Sequence, residues 1–254
     1  MKKIIRKTML YKTGVEYGDY TMNHVMGCAH GCKYPCYAYT MKKRFGQIKT
    51  YTDWCEPSLV ENTLELLTTE IPKLKDSITT VHLCFTTDPF MYGKEYYEIG
   101  QMSLAAIRKL NDAGIRCTVL TKGILPVELA ELSDKNEYGI TVVSLSPMFK
   151  SKMEPGAAPI KDRIAALKAL HDLGCKTWVS IEPYPTPNIQ EQDLSQILDQ
   201  VSFTDRIIFG RMNYNRLVSE YVDHKRFYNE KALEVKDYCI EHKIHCYIKN
   251  KTIT

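Results

Sequence analysis

No run of about eighteen apolar residues occurs in this sequence, so no membrane-spanning helix is expected. The first residues, MKKIIRKTMLYK, begin basic, but Arg6, Lys7 and Lys12 interrupt their apolar runs. A secretory signal needs a longer apolar block, so the protein is expected to be cytoplasmic. A large excess of one charge is missing too. The net charge is +4, short of the strongly basic balance of a dedicated nucleic-acid module; it permits an anionic substrate without demanding one. No low-complexity tract, long Gly/Ser linker or sharp change in composition offers a place to divide the chain. A single domain over residues 1–254 is expected.

What is present is enough apolar material, 44% of residues, to bury a real core. Apolar and β-rich runs alternate with amphipathic stretches, the pattern of repeated βα units. Strands are predicted at Tyr20–Met26, Thr80–Thr86, Arg116–Thr121, Ile140–Ser146, Lys176–Ile181 and Arg206–Gly210. Helical segments are predicted at Pro57–Thr69, Ile99–Ala113, Pro126–Leu132, Ile160–Leu173 and Gln190–Gln200. A last helix, Glu230–His242, and a short apolar run, Ile244–Ile248, make up most of the C-terminal segment 229–254. In Ile160–Leu173 the apolar Ile164, Leu167 and Leu170 recur at helical spacing, and Gly174 stands where a C-terminal cap belongs. Such alternation implies an α/β fold with a parallel sheet, curled into a partial or complete (β/α) barrel.

In such folds chemistry gathers at the C-terminal ends of the strands. Those ends are polar here: Thr86-Thr87-Asp88, Thr121-Lys122, Ser144 to Ser146, Ser180 to Glu182, and Arg211 to Asn213. Spacing of two puts Ser144 with Ser146, Ser180 with Glu182, and Arg211 with Asn213 on common faces. Glu182, Arg211 and Asn213 crown the later strands and are the substrate-side candidates. The competing reading is a Glu182–Arg211 ion pair that seals the barrel.

Nine cysteines in a reducing compartment argue against a disulfide framework. Only Cys28, Cys32 and Cys36 share a loop (27–38), where Gly31 and Pro35 oppose a regular helix. Thiolates suit iron–sulfur clusters and zinc. A structural zinc would need a fourth ligand, which His24 or His30 could supply. A three-cysteine cluster leaves one iron open for a chelating ligand.

The loop Gly-Cys-Ala-His-Gly-Cys-Lys-Tyr-Pro-Cys-Tyr-Ala resembles the cluster loop of radical S-adenosylmethionine (SAM) enzymes, especially the group related to spore photoproduct lyase. The resemblance continues in order through Phe85-Thr-Thr-Asp-Pro89, Leu120-Thr-Lys122, Val143-Ser-Leu145 and Glu154-Pro-Gly156 with Arg163. Most of the family has two residues between its second and third cysteines; Pro35 is an additional one here. Phe85 stands where the lyase carries its hydrogen-donating cysteine, so photoproduct repair is not inferred. The resemblance implies a (β/α)6 barrel, a [4Fe–4S] cluster on Cys28, Cys32 and Cys36, and SAM as cofactor. It implies reductive cleavage of SAM to a 5′-deoxyadenosyl radical that acts on a substrate, which could be a nucleic acid or nucleotide. Around SAM it places Tyr34, Thr86, Thr87, Asp88, Lys122, Ser144 and Ser146, with Lys122 on the SAM carboxylate. Glu154 and Arg163 read as structural, a loop before a helix and its brace. No second cysteine group could hold a relay cluster, so an external electron donor such as flavodoxin or ferredoxin is expected. The alternative is a non-catalytic module whose zinc or iron–sulfur centre mediates a partner interaction. Cys84 is expected to fill the barrel interior, on the same strand face as His82 and Thr86.

Overall fold

The computed structural model describes residues 1–74 and 76–254. Five short strands come first: β1 (Lys2–Ile4), β2 (Leu10–Lys12), β3 (Tyr20–Met22), β4 (Val25–Met26) and β5 (Ser58–Val60). Six follow: β6 (Thr80–Leu83), β7 (Arg116–Thr121), β8 (Glu137–Thr141), β9 (Lys176–Tyr184), β10 (Arg206–Arg211) and β11 (His245–Ile248). The early helices are α1 (Tyr37–Arg44), α2 (Tyr51–Cys55), α3 (Thr63–Leu74) and α4 (Tyr97–Asp112). The later ones are α5 (Pro147–Met153), α6 (Ile160–Asp172), α7 (Leu194–Gln200), α8 (Arg216–Glu220) and α9 (His224–Glu241).

The large sheet runs in the order β11-β10-β9-β8-β7-β6-β3-β2. Every neighbouring pair from β3 to β11 is parallel, and β2 closes the edge antiparallel to β3. Its two edges are not hydrogen-bonded to each other, so the expected barrel is a partial one. A small sheet, β1-β5-β4, stands beside it.

Alternation along the strands separates two chemistries. On β7, Cys117 and Val119 join the main core with helical residues such as Ala106 and Leu110. On β9, Val179 and Ile181 do the same, while Trp178 turns to the other face beside Tyr17 and Ile208. Ser180 and Glu182 share that inner face with Trp178. Outward helices therefore bury the apolar residues, and the concave face keeps its polar side chains. Leu167 and Leu170 of α6 are fully buried, each stabilising by roughly 1.5–3 kcal/mol. No helix among the described residues is long and apolar enough to cross a membrane.

Several boundaries differ from expectation. The first predicted strand, Tyr20–Met26, splits into β3 and β4, which belong to different sheets. Between them the Asn23 side chain turns away to accept from the Thr86 amide and hydroxyl. Residues 58–60, expected to be helical, form β5 because both β1 and β4 pair with them. Strand β8 ends at Thr141, short of the predicted Ser146. It starts early, at Glu137, where its ladders with Thr118 of β7 and Lys176 of β9 begin, and Glu137 also pairs with Arg206 of β10 at 2.6 Å. Segment 126–132 makes a 3-10 turn, and the last helix begins six residues earlier than predicted, at His224.

Candidate active site

Strand β4 delivers the chain into Gly27 at φ +86, where a Cβ would meet the Trp54 carbonyl oxygen at 2.7 Å. The loop that follows is tied down along its length. The Cys28 amide donates to the Trp54 carbonyl (2.8 Å), and the Lys33 amide to the Met153 carbonyl (2.8 Å). The Tyr51 hydroxyl donates to the Cys32 carbonyl at 2.7 Å. Gly156 donates its amide to the His30 carbonyl at 3.0 Å. At Gly156 a Cβ would lie 2.1 Å from the Ala29 carbonyl oxygen, so only glycine permits this approach. Cys36 then precedes α1 at its cap position.

Cys28, Cys32 and Cys36 all line one cavity of about 420 Å³, within the usual range for ligand sites. Burial pushes the Cys28 thiol well up, and the Asp88 carboxylate adds to it. Burial likewise raises Cys32 to about 12. Thiols so placed ionise only when a cation takes them, which is what a bound iron centre does. Among the described residues no group of three or more His, Cys, Asp or Glu is arranged to hold a single metal ion. A cube of iron and sulfide is a larger body and takes thiolates that stand apart. Three thiols carried by one loop are a donor set that iron–sulfur clusters take.

Asp88 joins this loop to the sheet. Its Oδ1 accepts from the Thr121 hydroxyl (2.6 Å) and the Phe90 amide (2.9 Å). Its Oδ2 accepts from the Lys122 amide (2.9 Å) and lies 3.4 Å from His30 Nδ1. Beside it, buried Glu154 accepts from Arg163 Nη2 at 2.7 Å and from the Tyr34 hydroxyl. Arg163 also donates to the carbonyls of Thr141 and Ala158, both at 2.9 Å. Burial would raise the Glu154 carboxyl, but Lys122 and Arg163 outweigh it and hold the group below its ordinary value. The Lys122 ammonium lies 4.0 Å from Glu154 and 5.8 Å from the Tyr34 ring centre. Burial would lower it, yet the Cys32 sulfur and the Glu154 carboxylate leave it raised.

The opposite wall comes from the later strands. Lys249, just past β11, sits 3.1 Å from Glu182 and 2.6 Å from Glu16, and donates to the Tyr17 hydroxyl at 3.3 Å. Glu182 therefore pairs with Lys249, and the Glu182–Arg211 pair considered above does not form. Burial raises the Glu182 carboxyl despite Lys249. Arg211 donates Nε to Asn213 at 2.9 Å. At the mouth, Tyr37 stacks with Tyr214 (centroids 6.5 Å) and meets Phe85 edge-on (6.4 Å).

The family profile described as the radical SAM superfamily matches residues 22–201. The chain belongs to this superfamily. It is an enzyme, and its mostly parallel partial barrel is the radical SAM fold. An uncharacterized protein of Acidianus two-tailed virus is 24% identical over 226 residues, covering 83% of this chain and 73% of that one. An uncharacterized protein of Methanocaldococcus jannaschii is 26% identical over 184 residues, 71% of this chain and 66% of that one. Among solved structures, spore photoproduct lyase complexed with dinucleoside spore photoproduct shares the fold. Its TM-score is 0.68 at 14% identity, over 97% of this chain and 80% of that one. Streptococcus suis SuiB bound to S-adenosylmethionine aligns at a TM-score of 0.58 and 13% identity, over 91% of this chain and 47% of that one.

Within this radical SAM frame, most of the residues singled out from sequence meet in one place. Tyr34, Thr86, Thr87, Asp88, Lys122, Glu182, Arg211 and Asn213 line the same cavity as the cysteines. Ser144 and Ser146 are not among its lining residues. The Ser144 hydroxyl accepts from the Ser146 amide at 3.1 Å, and the Ser146 hydroxyl caps α5. With β8 ending early, Thr141 takes the lining position on that strand, beside Ser180 of β9.

Cys84, at φ +55 just past β6, packs with Val25, Leu59, Met91 and Ile99 and also lines the main cavity. Its sulfur lies 3.4 Å from His24 Nδ1, and burial raises its thiol to about 12. Phe85 lines the same cavity and packs against Tyr17, Trp178 and Ile208. Lys249, Glu16 and Tyr17 were missed from sequence. The available signal was that Lys249 follows Tyr247 by two at the end of an apolar run.

Proposed function

We propose that this enzyme holds a [4Fe–4S] cluster on Cys28, Cys32 and Cys36, binds SAM beside it, and abstracts hydrogen from a substrate on the opposite wall. The observation that carries the proposal is one cavity, at the C-terminal ends of parallel strands, lined by three cysteines of one loop and by Lys122. When bound, the reduced cluster supplies the electron that cleaves SAM to methionine and a 5′-deoxyadenosyl radical.

The chain's own residues then have separable tasks. Lys122 offers an ammonium to the SAM carboxylate, and Tyr34 flanks that ammonium. Thr86 and Thr87 offer hydroxyls along the same wall. Asp88 has its oxygens occupied by Thr121, Phe90 and Lys122, so it positions the lysine and the cluster loop. Ser144 and Ser146 act at a remove, through the α5 turn they cap. Glu182, Arg211 and Asn213 face the substrate, with Lys249 holding the Glu182 carboxylate in place.

A nucleotide or nucleic-acid substrate is supported by the Arg211 guanidinium, the Asn213 amide and the aromatic rings at the mouth. Stacking surfaces with an adjacent guanidinium are how proteins hold unpaired bases. The fold shared with a lyase solved in complex with a dinucleoside photoproduct points the same way. An external electron donor such as flavodoxin or ferredoxin completes the scheme, in the reducing cytoplasm that the cysteine usage suits.

Anaerobic reconstitution tests the proposal. Four irons with sulfide per chain, together with SAM-dependent 5′-deoxyadenosine formation, is the expected result. One zinc per chain and no SAM binding would overturn it in favour of a non-catalytic metal module.

A further inference from the structure

Next to the main cavity lies a second hollow of about 510 Å³. Arg211, Asn213 and Tyr214 belong to both, so the two share a wall. The second hollow adds Asn215, Arg216 and His224. Among the described residues no aspartate or glutamate lines it. Glu220 stands outside the lining and pairs with Arg216 Nε at 2.7 Å. Arg211 gives its Nε to Asn213, and among the described residues its two Nη nitrogens have no acceptor.

Tyr214, on the shared wall, has φ +60 and leaves 76% of its surface exposed. A left-handed backbone strains a tyrosine, and a ring this exposed gains little burial to offset the strain. Among the described residues its one aromatic partner is Tyr37, itself 44% exposed. Strained residues gather where a ligand uses them. The hollow therefore combines two guanidinium groups, amide donors, no lining carboxylate and an aromatic ledge that leads to the main cavity.

We infer that this hollow is an anion subsite that takes a phosphate group of the substrate while the reacting unit occupies the main cavity. The inference rests on the reading of that cavity as a radical SAM site. Guanidinium forks match phosphate oxygens in pairs, and a phosphate here would share Arg216 with Glu220, whose carboxylate is already neutralised at Nε. The volume also accommodates a sugar attached to the phosphate. The phosphate could belong to a free nucleotide or to a nucleic-acid strand, and the probes below separate these sources.

Arg216 is the residue to change, because its side chain is 91% exposed and lies outside the SAM wall. Binding of a fluorescent short single-stranded oligonucleotide, as DNA and as RNA, would be followed by anisotropy on the anaerobic holoprotein at several salt concentrations. Saturable binding to the wild type is expected. Arg216→Gln should weaken it about tenfold and reduce the salt slope by about one, and Arg216→Lys should keep most of both. SAM cleavage without substrate should be unchanged in each variant. Displacement by a nucleoside monophosphate, where inorganic phosphate is ineffective, assigns the subsite to a free nucleotide; displacement by strands alone assigns it to nucleic acid. Absence of saturable binding, or equal affinity and slope in Arg216→Gln, overturns the inference. If binding responds as expected but the wild type never cleaves SAM, the reading of the main cavity fails and the anion subsite stands.

Discussion

The Tyr34 hydroxyl donates to the Glu154 carboxylate, joining the cysteine loop to the turn before α6 across 120 positions of sequence. The same carboxylate pairs with Arg163, whose other nitrogens hold the Thr141 and Ala158 carbonyls. One buried acid thus fixes the cluster loop, the end of β8 and the start of α6 together.

Glu154→Gln should therefore destabilise the protein by about 3–5 kcal/mol, the usual cost of leaving a buried guanidinium unpaired. The Glu154 carboxyl is held below its unfolded value by Lys122 and Arg163, against burial. Its contribution is then complete above the unfolded carboxylate value and lost as pH falls through the folded one. Urea unfolding across neutral and acid pH should show the gap between wild type and variant narrowing in acid. A small gap, independent of pH, would remove this role.

Replacing Cys28, Cys32 or Cys36 with Ala should each abolish most iron binding and all SAM cleavage, because these thiols line one cavity. Cys55→Ala should keep both, although its sulfur approaches the loop at Gly31. Iron analysis of reconstituted protein decides it. Full iron in Cys28→Ala would refute the ligand set.

Lys122→Ala should weaken SAM binding tenfold to a hundredfold, on the order of 1.5–3 kcal/mol for a charge-assisted bond. The iron content should not change. Equilibrium titration of SAM is the measurement, and unaltered affinity would assign the ammonium to Glu154 alone.

Cys84→Ala should cost about 1–2 kcal/mol of stability, as small core deletions do, with SAM cleavage retained. The thiol packs against Val25 and Ile99. Altered products from the substrate radical would instead make Cys84 a hydrogen donor.

Features set by near neighbours were legible in the sequence. The cysteine loop, most of the polar strand ends and the helix Ile160–Leu173 depend on local spacing, and they lie close to their expected places; the end of β8 does not. What escaped notice depends on partners distant in sequence. The strand break after Met22 follows from Asn23 bonding to Thr86, 63 positions away. β5 reads as helix because its three residues carry no period of their own and are ordered by β1 and β4. Ser144 reads like Thr141, a hydroxyl near a strand end, and only the ladders with β7 and β9 end β8 at Thr141. Lys249 had no local cue at all beyond following a short apolar run.

That lysine also sets an order of events. Its partner Tyr17 is 232 positions earlier in the chain, and closing so long a loop is slow and entropically costly. On the ribosome, the cysteines, Lys122 and the strands between them leave the tunnel well before Lys249 does. The half of the cavity that faces the cluster can be assembled while the half that faces the substrate is still being synthesised.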